Sequence, residues 1–251
     1  MFVIRQPLGN QPAWLTPGED DTWVILVHDR DAFRREALRA LPVLAAGGFP
    51  TLTITYRNDP GAPEGGGRYG LGNPEWRDVE AAVAYAVEAG AADVVIYGWG
   101  MGAGAAAMFL HGSAEARAVA GLVFDAPLFD PGAVVDADGR AHNVPGLIVG
   151  WAKGLATLRW GVDWGALNQV ARTEDFEVPI LLFHGDVDAV APVSVSDRFA
   201  AALPDLVRYE RVSGGGHGAC WNADPARYEA ALAAFMEEVA AGPAPTPAPG
   251  A

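Results

Sequence analysis

Lysine occurs once in this 251-residue chain, at Lys153, cysteine once, at Cys220, and serine four times, at Ser113, Ser194, Ser196 and Ser213. One cysteine excludes an internal disulfide and a cysteine-built zinc site. Basic residues number 17 against 31 acidic ones, a net charge of −14. Clustered Lys and Arg are therefore missing, and with them the expectation of a nucleic-acid partner. No apolar run reaches the length of a membrane span. The start, MFVIRQPLGN, has no basic segment followed by an apolar one, so no secretory leader is expected and the setting is read as cytoplasmic. Hydrophobic residues make up 51%, which excludes global disorder, and the length fits one large α/β domain.

Short β-rich runs alternate with helix-like runs, the pattern of a mostly parallel sheet with helices on both faces. Residues 2–6 and 12–16 predict a hairpin around Gly9-Asn10. Strands are expected at 22–27, 51–56, 93–97, 119–124, 179–184 and 206–212. Helices are expected at 31–46, 75–88, 103–111 and 224–239. Residues 57–75, dense in Gly and Pro, must be loop. The domain is expected to span 1–240, with 127–172 an insertion lacking a strand signal and 241–251 a disordered Pro/Ala tail.

Five motifs follow strands in order. His28-Asp29-Arg30-Asp31 comes first and TYRNDP (55–60) second. Gly98-Trp99-Gly100-Met101-Gly102 separates a strand from a helix. HGDVDAVAP (184–192) and GGGHGACWN (214–222) close the series. The chain resembles the α/β-hydrolase superfamily, in particular actinobacterial-type hydrolases with a G-W-S-M-G elbow. The resemblance implies an α/β-hydrolase fold in which 127–172 is a small cap. It places Asp188 as the triad acid and His217 as the triad base, with the Met101 N–H and that of Arg30 or its neighbour as oxyanion donors.

Two departures stand out. Gly100 occupies the nucleophile position, where the family carries serine, so no side chain is there to attack. Asp29 and Asp31 replace two glycines beside the expected oxyanion hole, where negative charge opposes a developing oxyanion. Either aspartate is also a candidate acid/base group or substrate contact, or a cap for the helix that follows. Trp99 is read as packing or as a substrate contact. His28 and His184 are read as structural, and His111 and His142 as solvated. Cys220 is a small half-buried residue rather than a thiol nucleophile. Trp151, Trp160 and Trp164 suit the cap's own core, with one or two facing an apolar pocket. The spacing Gly98-x-Gly100-x-x-Ala103 with Asp125 also fits a dinucleotide fingerprint, but that reading leaves the other motifs without a role.

The sequence therefore predicts a small-molecule enzyme without a serine nucleophile. The His217–Asp188 dyad would carry acid/base chemistry such as elimination, isomerisation, cyclisation or water-mediated hydrolysis on a partly apolar ligand. Neither cofactor nor metal is expected, and no membrane partner. Two alternatives remain: a non-catalytic ligand-binding pseudo-hydrolase, and a serine ester or amide hydrolase inactivated by a Ser→Gly change.

Overall fold

A computed structural model describes residues 2–242; the expected disordered tail lies outside them from residue 243 on. Eight strands form one sheet: β1 (Phe2–Gln6), β2 (Gly9–Thr16), β3 (Thr22–Val27), β4 (Thr51–Ile54), β5 (Asp93–Trp99), β6 (Val119–Asp125), β7 (Ile180–Gly185) and β8 (Val207–Val212). The spatial order is β1-β2-β4-β3-β5-β6-β7-β8. β2 runs antiparallel to β1 and β4, and every other pair is parallel. This is the α/β-hydrolase fold.

The helices are α1 (Leu41–Ala46), α2 (Trp76–Glu88), α3 (Gly100–Gly112), α4 (Pro131–Ala141), α5 (Gly146–Trp160), α6 (Val193–Ala202), the short α7 (Cys220–Ala223) and α8 (Pro225–Ala240). Strand alternation sends successive side chains to opposite faces. Ile25 and Val27 of β3 join a core with Val83 of α2, Phe109 of α3 and Phe199 of α6. Val24 and Leu26 join a second core with Leu44 of α1 and Leu232 and Phe235 of α8. Both faces are covered, which is why β3 reads as the continuous apolar run WVILV.

Two expectations about elements are corrected. The hairpin turns at Pro7-Leu8, because Gln6 pairs with Gly9; Gly9 and Asn10 already belong to β2. Residues 31–46 are not one helix. Asp31 and Phe33 adopt left-handed φ of 63° and 61°, which no α-helix interior accommodates. A 3-10 helix over Arg34–Arg39 precedes α1, whose first turn holds Pro42. Pro42 lacks the N–H that a continuous helix would need. The stretch 127–172 holds α4 and α5 back to back, with Lys153 of α5 paired to Asp136 of α4 at 3.0 Å.

Candidate active site

Four of the five motif loops leave the carboxyl ends of β3, β5, β7 and β8, the edge where open parallel sheets place their sites. Gly100 opens α3 with a left-handed φ of 47°, so the sharp strand-to-helix turn is present without a side chain on it.

Asp29 fills that vacancy. A Cβ built on Gly100 would lie 2.1 Å from Asp29 Cγ. The Asp29 carboxylate therefore occupies the volume that a side chain at position 100 would take, reaching it from the β3 loop. Its Oδ1 accepts the Met101 N–H at 2.6 Å, at the N-terminus of α3, where backbone donors and the helix dipole favour an anion. Its Oδ2 lies 3.0 Å from His217 Nε2, and His217 Nδ1 lies 2.7 Å from Asp188 Oδ2. The site is thus an Asp29–His217–Asp188 row with both imidazole nitrogens facing carboxylates. Burial opposes charge on His217, but hydrogen bonds to Asp188 and Asp29 outweigh it and raise its pKa to about 10. The ring is an imidazolium at neutral pH and donates from both nitrogens.

Asp188 is held from several sides. Burial would raise its pKa, but His184, His217 and the Val190 N–H hold it below the usual carboxylate range. Oδ1 accepts the N–H groups of Val190 and Ala191 at 2.7 and 2.9 Å. Ala191 serves here through its backbone, so its side chain takes no part in these hydrogen bonds. His184 is structural, as expected, yet its Nε2 approaches Asp188 Oδ2 at 3.2 Å while its Nδ1 meets Ser196 Oγ at 2.7 Å. Asp186 accepts the Gly214 N–H at 2.7 Å and so fastens the histidine loop.

The β3 loop has its own supports. His28 Nδ1 donates to the Asp29 carbonyl at 2.7 Å, and its Nε2 pairs with Asp59 at 2.8 Å. Asp59 also accepts the Tyr56 N–H and the Tyr69 hydroxyl. Arg57 grips the buried Asp78 of α2 through Nε and Nη2 at 2.8 and 3.0 Å. TYRNDP is therefore a brace for the loop that carries Asp29. Sequence reasoning missed Glu36, whose Oε2 accepts the Asp29 N–H at 2.6 Å. Burial pushes the Glu36 pKa up to about 7, against the Asp29 N–H that lowers it. Arg39 lies beside Glu36 and donates to the Gly218 carbonyl of the histidine loop. No motif marks Glu36 or Arg39, since each acts only through a contact that folding creates.

A cavity of about 350 Å³ opens over this row. Asp29, Arg30, Asp31, Met101 and His217 line its polar end, and Leu71, Leu128, Pro131, Val134, Val135 and Val190 its apolar walls. A groove of about 910 Å³ between β1 and α2 is larger, but none of its lining residues belongs to the row. Among the described residues, no group of three or more His, Cys, Asp or Glu side chains is arranged to hold a metal ion, and no helix is long and apolar enough to cross a membrane.

Several site expectations are corrected. The Met101 N–H stands where an oxyanion donor is expected, but it is already engaged by Asp29. On the Arg30 side, the Asp29 N–H is taken by Glu36. Asp31 does not cap the helix that follows; it is exposed and lies 3.6 Å from Arg30. Asp29 does cap a helix, but the helix is α3. Trp99 is 1% exposed and stacks on Tyr97 at 3.9 Å, so it is core packing and not a substrate contact. His111 is buried, 2.7 Å from Gln169, rather than solvated. Trp151 and Trp160 neither form a cap core nor line the cavity; both are exposed. Cys220 is fully buried, and burial beside Asp125 raises its thiol pKa far above the ordinary value. Asp125 is buried and accepts the Tyr228 hydroxyl at 2.9 Å, out of reach of any ribose.

No protein-family model and no curated protein matches this chain. Solved structures do. The chain is similar to the Pyrococcus furiosus esterase Pf2001 at 16% identity and a TM-score of 0.73, covering 94% of this chain and 91% of that one. It is similar to Est1E from Butyrivibrio proteoclasticus, solved with ferulic acid bound, at 17% identity and a TM-score of 0.73, covering 96% and 100%. A thermophilic esterase from Thermogutta terrifontis matches at 16% identity and 0.68, covering 95% and 98%. At these identities the likeness is one of fold.

Proposed function

We propose that this chain is a small-molecule enzyme that moves protons through Asp29, His217 and Asp188 without a serine nucleophile. The observation that carries this reading is the Asp29 carboxylate in the volume vacated at Gly100, bonded to both Met101 and His217. Asp29 is the base: it lines the polar end of the cavity, where a substrate proton, or that of an attacking water, is presented. His217 rests with a proton on Nε2 and gives it to the leaving group or to the atom that gains hydrogen. The proton then held by Asp29 passes to His217 across 3.0 Å and resets the row. Asp188 orients the ring and stabilises its charge. Elimination, isomerisation, cyclisation and water-mediated hydrolysis all need only these transfers.

The apolar walls favour a small, partly apolar ligand, and α4 and α5 serve as the cap, α4 supplying Pro131, Val134 and Val135. The acidic surface fits a cytoplasmic protein with no nucleic-acid or membrane partner. The esterase-like fold of the structural neighbours is consistent with an enzyme. A serine hydrolase disabled by one substitution fits less well, because serine does not fit at position 100 while Asp29 stands there.

The test is turnover of a panel of small apolar carbonyl and hydroxy compounds, followed by mass spectrometry. Any activity found is expected to fall ~10²–10⁴-fold in Asp29→Asn and in His217→Ala. In Asp29→Asn the His217 ring, followed by NMR, is also expected to titrate well below its present value of about 10. Turnover unchanged in His217→Ala would sink the proposal. A second reading, a non-catalytic binding module, is favoured by the way Asp29 already satisfies both donors; it expects ligands that raise the melting temperature with no product formed.

A further inference from the structure

The face of α5 turned toward α4 carries Val149, which is buried, and Lys153, which pairs with Asp136. The opposite side is bare. Ile148, Trp151, Leu155 and Leu158 are 56, 76, 59 and 85% exposed. Their spacing of three, four and three residues is that of the a and d positions of two heptads, the seam by which one helix packs along another. Nothing among the described residues covers it.

The seam is symmetric about residue 153. In an antiparallel two-fold pair it sets Ile148 opposite Leu158 of a second copy, and Trp151 opposite Leu155. That self-complementarity is what an isologous dimer requires, whereas a membrane surface or an unrelated protein would place no such demand on the spacing. Gly150 and Gly154 have open space where a Cβ would stand, so two backbones can approach closely. α5 contains no acidic residue, so no carboxylates oppose each other across the axis despite the chain's net charge. Trp151 alone exposes about three-quarters of the ~150–250 Å² of a large aromatic side chain. With the other seam residues and Leu147, which is 75% exposed, the patch exceeds the ~300–600 Å² found on a typical monomer and approaches the ~800 Å² per partner of a stable interface.

We propose that α5 pairs antiparallel with α5 of a second copy of this chain, making the protein a homodimer joined at the cap. The pairing would also buttress α4, which walls the cavity. Sedimentation of the full chain at micromolar concentration tests this. The wild type is expected to sediment as a dimer. Trp151→Glu and Leu155→Lys, each at an exposed site, are each expected to weaken association ~10-fold or more while circular dichroism and melting match the wild type. The double variant Trp151→Glu/Leu155→Lys is expected to dimerise again, because the introduced opposite charges face each other only in the antiparallel register. A monomeric wild type, or a dimer indifferent to both single variants, would overturn the proposal. So would single variants that dissociate without rescue in the double, or a monomer that floats with neutral phosphatidylcholine vesicles.

Discussion

A serine placed at Gly100 would bring its Cβ to 2.1 Å from Asp29 Cγ, a distance that nonbonded carbons do not sustain. One of the two side chains must leave, and the turn itself has a φ of 47° that disfavours any Cβ. Gly100→Ser is therefore expected to destabilise the protein by ~1–3 kcal/mol, the usual range for overpacking, and to remain unlabelled by a fluorophosphonate. Gly100→Ser/Asp29→Gly removes the obstruction and frees the Met101 N–H. That double variant is expected to label and to hydrolyse p-nitrophenyl esters. Labelling by the single variant would show that Asp29 does not hold the volume. Gly100 and Asp29 each stand out in the sequence, 71 residues apart. Their mutual fit does not, because it depends on the β3 loop meeting the start of α3 across the sheet edge.

At the scale of elements, the strands and the order of the loops followed from apolar runs and turn residues. The broken segment 31–46 did not, because its apolar periodicity continues through Asp31 and Phe33, where the backbone turns left-handed to deliver Asp29 to the site. Its 3-10 turn carries Glu36, with a folded pKa of about 7 against an ordinary 4.5. The fold thus binds this proton more tightly than the unfolded chain does. Its contribution to stability is present below 4.5 and is lost as pH rises through about 7. Glu36→Gln, whose amide oxygen still accepts the Asp29 N–H, is expected to flatten the fall in melting temperature across that window. Parallel curves for variant and wild type would show that Glu36 does not titrate there. The TYRNDP brace gives a larger effect. Arg57→Ala strands the carboxylate of Asp78, which is fully buried and also accepts from Gln6 at 2.8 Å. Breaking a buried pair on one side costs ~3–5 kcal/mol, or a drop of ~10 °C in a domain of this size, read by thermal denaturation.

For the whole molecule, the excess of carboxylates acts at two ranges. Inside the site, two negative groups flank one imidazolium at hydrogen-bond distance, where salt screens weakly. Across the surface, a net charge of −14 repels itself through water. Surface pairs such as Arg208–Glu238 at 2.7 Å and Arg211–Asp197 at 3.3 Å offset little of this, since exposed pairs contribute ~0–1 kcal/mol each. Self-repulsion of this kind destabilises the compact state and is screened over a Debye length of ~8 Å at physiological ionic strength. The melting temperature at neutral pH is therefore expected to rise as sodium chloride is taken from low to physiological concentration. The rise should vanish near the sequence pI of 4.6, where the net charge is gone. His217 should keep its high pKa throughout, because its partners lie within the site. A melting temperature that falls with salt at neutral pH would mean that the surface pairs outweigh the net repulsion, and the acidity would then have to be read as local pairing rather than as a global field.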